Sequence, residues 1–154
     1  MIKQLVASAA ILAEVKASTK DAALKELLQT AQEAGAFPKK AASSISKKIS
    51  AREALGSTGI GNGVAVPHVK SDSVKQVALV LGRSTRGIEW HSIDGKPVQI
   101  MFLLAAPPEA SDLHLQCLRW ISGLARSADF RRFFLNSPDE AAIRDLLQEM
   151  APAA

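Results

Sequence analysis

The sequence predicts an α/β sandwich, a β-sheet covered by helices. Three observations lead there. Two apolar runs rich in Val, Ile and Leu, QVALVLGRS from Gln76 and PVQIMFLLAAPP from Pro97, read as buried strands. Segments with helical periodicity lie before and after them, and strands alternating with helices argue for a layered α/β architecture. The 154 residues, 47% hydrophobic and 22% charged, suit one soluble domain with a single core, spanning 1–154 with its body at about 11–150.

Each element has its own warrant. The apolar stretch ILAEV from Ile11 is a short strand. Ser18-Thr19-Lys20-Asp21 resembles a capping box with Asp in the place of Glu. Leu24, Leu27, Leu28 and Ala31 then recur at helical spacing, and Gly35 sits where a C-terminal cap belongs. Pro38 opens a second helix whose apolar face includes Ala42, Ile45 and Ile49, ending near Leu55-Gly56. Between the two main strands, TRGIEWHSIDGKP carries turn signals, Asp94-Gly95 among them. Ser111-Asp112-Leu113-His114 opens a helix continued by Leu115, Leu118, Ile121, Leu124 and Ala125. DFRRFFL forms a shorter helix, and Ser137-Pro138-Asp139-Glu140 starts the last, which runs to about Met150 before a frayed tail APAA.

Several function classes are excluded early. No apolar run approaches the ~20 residues needed to cross a bilayer, so no membrane insertion is expected. The N-terminal MIKQLVASAAILAEV is interrupted by Ser8 and Glu14 and lacks the separate apolar region of a signal peptide, which points to the cytoplasm. Cys117 is the one cysteine, so no internal disulfide forms, and its place in an amphipathic helix reads as a buried thiol. The net charge of +4 raises nucleic-acid binding. Yet the basic residues are dispersed as Lys39-Lys40, Lys47-Lys48 and Arg131-Arg132, without basic–aromatic alternation. A solvated basic surface that meets an acidic partner is the better reading, and no nucleic acid is expected.

The stretch LGSTGIGNGVAVPH, Leu55 to His68, concentrates the chemistry. It is no Walker A loop: no Lys follows Gly61 or Gly63, and the loop follows a helix rather than a strand. It is no dinucleotide fingerprint either, because Gly59, Gly61 and Gly63 are spaced G-x-G-x-G and lead into the strand-like Val64-Ala65-Val66. What remains is physical. Glycines permit positive φ and close approach of backbone to a ligand, and consecutive amides in such a turn can nest an anion. Ser57, Thr58 and Asn62 add side-chain donors. Pro67 restricts how His68 is presented. The competing reading is a glycine-rich surface turn with an incidental histidine.

His68, His91 and His114 are the only histidines. A neutral imidazole beside an anion nest suits phosphoryl transfer, its ring nitrogen attacking phosphorus while the nest holds the oxygens. His114 falls in the first turn of its helix, where the positive helix end disfavours imidazolium. The three lie far apart in sequence with no local H-x-x-x-H pair, so no metal is expected. His91 reads as a turn or strand-end residue, and the absence of G-x-S-x-G argues against a serine hydrolase.

The segment REALGSTGIGNGVAVPH, Arg52 to His68, closely resembles the signature of enzyme IIA domains of the fructose/mannitol class in the bacterial phosphoenolpyruvate-dependent phosphotransferase system, a class that includes the nitrogen-regulatory enzyme IIA. The I-x-W-x-x-I-D-G-x-P-V segment from Ile88, the FLLAAPP strand and DLHLQ from Asp112 follow in the family's order. The resemblance spans about Ile11 to Met150. It implies a mixed β-sheet flanked by helices on both sides. It implies that His68 accepts phosphoryl from the carrier HPr and passes it to an enzyme IIB domain, or that phosphorylation selects a regulatory target. By the same resemblance Arg52 and His114 hold or orient the phosphoryl group, with Ser57, Thr58, Gly59 and Asn62 of the loop around its oxygens. No cofactor is implied, since donor and acceptor are proteins. The segment AFPKKAASSISKKIS is more basic and Ser-rich than the family leads one to expect, and Trp120 is bulky for its helix; core or interface suits it better than chemistry.

Overall fold

The computed structural model describes residues 1–152. Its elements are α1 (Ile2–Ser8), β1 (Ala10–Leu12), α2 (Lys20–Glu33), α3 (Ala42–Leu55), β2 (Gly59–Gly61), β3 (Val64–Ala65), β4 (His68–Lys70), β5 (Ala78–Ile88), β6 (Val98–Ala106), α4 (Ser111–Arg126), α5 (Ala128–Leu135) and α6 (Glu140–Met150). Short 3₁₀ turns at Lys39–Ala41 and Pro108–Ala110 lead into α3 and α4.

The two apolar runs build the centre. β6 pairs antiparallel with β5, from Ala78↔Ala105 to Ile88↔Val98, and β1 adds in parallel on the far side of β5. Side chains alternate along β6 with the period of a strand. Ile100, Phe102 and Leu104 enter a core shared with α1, α4, α5 and α6, while Met101, Leu103 and Ala105 enter a second core shared with α2 and α3. Both faces are covered, which is why the run is apolar throughout rather than alternating. The expected mixed sheet flanked by helices on both sides is the observed one, in the order β1-β5-β6-β3-β2 with β4 also on β6.

Local signals place the helix ends within a residue or two. Thr19, not Ser18, caps α2 by accepting from the Ala22 N–H at 3.3 Å. Asp139, not Ser137, caps α6, accepting from Ala142 at 2.9 Å, because the Ser137 hydroxyl instead donates to Phe133 O and closes α5. Each such cap is worth about 1 kcal/mol. Two differences are larger. The segment TRGI continues β5 through a register shift rather than turning. The core also begins ahead of Ile11, since Ile2, Leu5 and Val6 of α1 are buried. The orphan carbonyls at the end of α1 accept from Arg144 Nη1, at 2.8 Å for Val6 and 2.9 Å for Ala9. Of the tail expected to fray, Ala151 packs on the core, and residues 153–154 lie outside the described residues.

The far edge of β6 positions the site. Two short strands share it end to end, both parallel to β6: β3 opposite Ile100 and Met101, β4 opposite Leu104 to Ala106. β4 begins at His68. α3 packs against β4, and the turn after β6 sets down the first residues of α4 beside it.

Candidate functional site

A cleft of about 550 Å³ opens where α3, β4 and the start of α4 meet. Lys48 and Arg52 line it from α3, His68 and Lys70 from β4, and Ser111, His114, Leu115 and Leu118 from α4. The spacing is that of the elements. Lys48 and Arg52 are four apart on one helical face, and His68 and Lys70 are two apart on one side of a strand. The lining contains no Asp or Glu among the described residues, so every charge in it is positive.

His68 is half-buried, and its Nδ1 lies 2.8 Å from the Val66 carbonyl. A carbonyl only accepts, so Nδ1 carries the proton and the lone pair of the neutral ring is on Nε2. Pro67 intervenes, and its carbonyl accepts from Leu104 N at 3.0 Å, anchoring the chain to β6 immediately before His68.

His114 meets His68 edge-on, with ring centroids 5.5 Å apart. It is 5% exposed, and its Nδ1 is buried without a hydrogen-bond partner. Burial lowers its pKa from the ordinary 6.5 to about 4, and the charges of His68 and Lys70 push the same way. The ring is therefore neutral near pH 7. Arg52 Nη1 donates to the Gly56 carbonyl at 2.7 Å, which aims the guanidinium along the end of α3. Lys70 Nζ donates to Ser111 Oγ at 3.1 Å, tying β4 to α4.

Three of the sequence candidates, Arg52, His68 and His114, converge on the cleft, and Ser57, Thr58, Gly59 and Asn62 do not line it. The glycine segment is a hairpin. Asn62 and Gly63 both take positive φ (58° and 76°) between β2 and β3, the backbone of a two-residue type I′ turn. Two of its amides are already engaged by carboxylates of the same chain. Asn62 N–H donates to Asp94 Oδ2 at 2.9 Å, and Thr58 N–H donates to Glu53 Oε1 at 3.1 Å. The Asp94 carboxyl is held below its usual range by the amides of Asn62 and Lys96. Ser57 Oγ donates to Trp90 O at 2.7 Å, and Gly59 lies against Ser92, where a Cβ would come within 2.1 Å of Oγ. His91 is exposed with φ 57°, a turn residue that does not line the cleft. Cys117 is buried, and burial pushes its thiol up to about 11. Trp120 packs on the core and donates Nε1–H to Met150 O at 3.0 Å. Lys48 and Lys70 were open to detection as same-face neighbours of Arg52 and His68.

Two histidines, an arginine and two lysines around an open cleft can bind a dianion and bond to it. Among the described residues no group of three or more His, Cys, Asp or Glu is placed to hold a metal ion. Residues 4–150 match the family described as "Phosphoenolpyruvate-dependent sugar phosphotransferase system, EIIA 2". The chain belongs to this enzyme IIA family. It is 37% identical over 146 residues to a nitrogen regulatory protein of Bradyrhizobium diazoefficiens, covering 95% of this chain and 94% of that one. It is 32% identical over 148 residues to the fructose-specific EIIABC component of Bacillus subtilis, covering 96% of this chain but 23% of that longer protein. The crystal structure of nitrogen regulatory protein IIA-Ntr from Neisseria meningitidis superposes with a TM-score of 0.83 at 26% identity, covering 95% of this enzyme IIA chain and 98% of that one. Membership assigns the chain a phosphoryl-transfer role in the phosphotransferase system, as a phosphocarrier or its regulatory counterpart. No helix of the described residues is long and apolar enough to cross a membrane.

Proposed function

We propose that His68 is the phosphorylated residue. The observation that carries this reading is the Nδ1–Val66 contact at 2.8 Å, which leaves Nε2 as the nucleophile in a cleft whose charged lining residues are all cationic. Nε2 attacks the phosphorus of a phosphohistidine on an HPr-type carrier. The new N–P bond forms as the carrier's N–P bond breaks, and the carrier's ring nitrogen leaves with the electron pair. The His68 ring becomes cationic while Nδ1–H stays in place, and the Val66 carbonyl takes up part of that charge. Arg52 offers paired, charge-assisted hydrogen bonds to the phosphoryl oxygens. Lys48 and Lys70 add field, and neutral His114 faces the His68 ring without competing for protons. Catalysis is positioning and charge stabilisation. Ser57, Thr58, Gly59 and Asn62 shape the hairpin that delivers His68.

From His68 the group passes to an enzyme IIB domain; one structural neighbour is a complex of enzyme IIA mannitol with phosphorylated enzyme IIB from Escherichia coli. Leu115 and Leu118 supply an apolar edge to the cleft for such exchange. The nitrogen-regulatory relative, matched over 94% of its own length, supports a second use of the same group. A charge of about −1.5 to −2 added beside that edge would weaken one partner and favour another. Both uses belong in the cytoplasm, where the phosphoenolpyruvate donor is made. Incubation with phosphoenolpyruvate, enzyme I and HPr should give one acid-labile phosphate on the wild type and none on His68→Ala. Labelling that survives His68→Ala refutes the assignment.

A further inference from the structure

A partly buried ion pair beneath the hairpin takes no direct part in this chemistry, yet it joins the segments that carry it. Lys20 Nζ lies 2.7 Å from Glu53 Oε1, with side chains 17% and 7% exposed. Glu53 also accepts from the Thr58 N–H at 3.1 Å and from the Thr58 hydroxyl. The fully buried Trp90 completes the set. Its indole N–H donates to Thr58 Oγ1 at 3.4 Å, and its carbonyl accepts from Ser57 Oγ at 2.7 Å and Lys20 Nζ at 3.4 Å. A buried ion pair is a weak source of stability, because desolvation offsets its attraction. Its location suggests a different use. Glu53 follows Arg52 in the last turn of α3, and the residue it grips, Thr58, lies two beyond Gly56, whose carbonyl orients Arg52, with Ser57 between them held by the Trp90 carbonyl.

The geometry points to Glu53 as a positioning residue: acting through Thr58, Ser57 and the Gly56 carbonyl, it fixes the Arg52 guanidinium for phosphoryl transfer at His68. The inference rests on the reading of His68 given above. It makes two demands that a merely structural role does not. Loss of Glu53 acts on turnover rather than on carrier binding, and it acts only while Arg52 is present.

The test is the rate of phosphoryl uptake from phosphorylated HPr by wild type, Glu53→Gln, Arg52→Ala and the double variant. A misplaced guanidinium should slow turnover about 10- to 100-fold for Glu53→Gln, with KM changed by less than about twofold. In the Arg52→Ala background the same substitution should add less than about twofold, the non-additivity of residues acting as one unit. Losses that multiply, a loss confined to KM, or full activity in Glu53→Gln or Arg52→Ala would each overturn the inference. Glu53→Gln strands the Lys20 charge, so if it does not fold, Thr58→Val and Thr58→Ser decide. The first removes the hydroxyl without stranding a charge and should slow turnover; the second keeps the hydroxyl and should match wild type. Equal rates for the two overturn the inference. A wild type that takes no phosphate refutes the carrier reading and this inference with it, whereas phosphorylation of His68 with an indifferent Glu53 removes the positioning role alone.

Discussion

Removing the His114 ring should abolish one contribution to the pH dependence of stability in a defined window. The folded chain holds this histidine neutral down to about pH 4, against 6.5 in the unfolded chain. Between those values the unfolded state binds a proton that the folded state refuses. Stability from this residue is therefore complete above pH 6.5, falls as the pH drops, and stops falling near pH 4. The gap in pKa corresponds to about 3 kcal/mol. His114→Gln keeps a polar side chain of similar length and cannot titrate. Groups shared by both proteins cancel in the difference, apart from the direct influence of His68 and Lys70 on the ring. Urea unfolding of both proteins should be followed at pH 7.5, 6, 5 and 4. With a slope of about 2 kcal/mol per molar, the variant's midpoint should gain about 1.5 M on wild type between pH 7.5 and pH 4. Most of that gain should appear below pH 6. A difference between the two midpoints that stays constant across the series would refute the argument, since it would mean that the ring protonates as readily folded as unfolded.

Other outcomes test neighbouring parts of the structure. Arg83, 8% exposed, donates to the carbonyls of Ala13, Phe134, Leu135 and Ser137, so Arg83→Met orphans the end of α5 and should cost about 3 kcal/mol, or about 10 °C in Tm by calorimetry. An unchanged Tm would show that water serves those carbonyls as well. Gly59→Ala drives a methyl into Ser92 and should destabilise by about 1–3 kcal/mol in urea, with partial recovery on adding Ser92→Ala; additive losses would contradict the close approach. Lys48→Gln should slow phosphoryl uptake severalfold at low salt and by less than about twofold near 0.5 M, because only field is lost. A deficit independent of salt would instead indicate a direct bond.

The two central strands and α2 to α4 were legible because each carries a long apolar pattern bounded by Gly, Pro or a cap. α1 was not. Its Ile2, Leu5 and Val6 sit among small residues that resemble a leader, and its final carbonyls are satisfied by Arg144, from α6 at the other end of the chain. β2, β3 and β4 are two or three residues each, too short for a period to register. The Asn62-Gly63 pair is a strong hairpin signal, but the abundance of glycine drew the reading towards an anion nest. That the amides of Asn62 and Thr58 would be claimed by Asp94 and Glu53 depends on contacts 32 and 5 residues away, which spacing does not encode. The convergence of Arg52, His68 and His114 likewise follows from where β4 and α4 are set down along β6. In the sequence it was visible only through the family resemblance.

The hydrogen bond from His68 to Val66 has one more consequence. The acceptor is a main-chain oxygen two residues upstream, so the choice of the free ring nitrogen is not delegated to any side chain. Where an imidazole is oriented by a carboxylate, a single substitution of that carboxylate can exchange the ring's tautomers. Here replacement of the Val66 side chain leaves the acceptor where it was. Which ring nitrogen of His68 stays free is thus built into the path of the chain itself. On the proposed reading of His68, surface residues around the cleft are left free to change partners without changing which ring nitrogen is free to react.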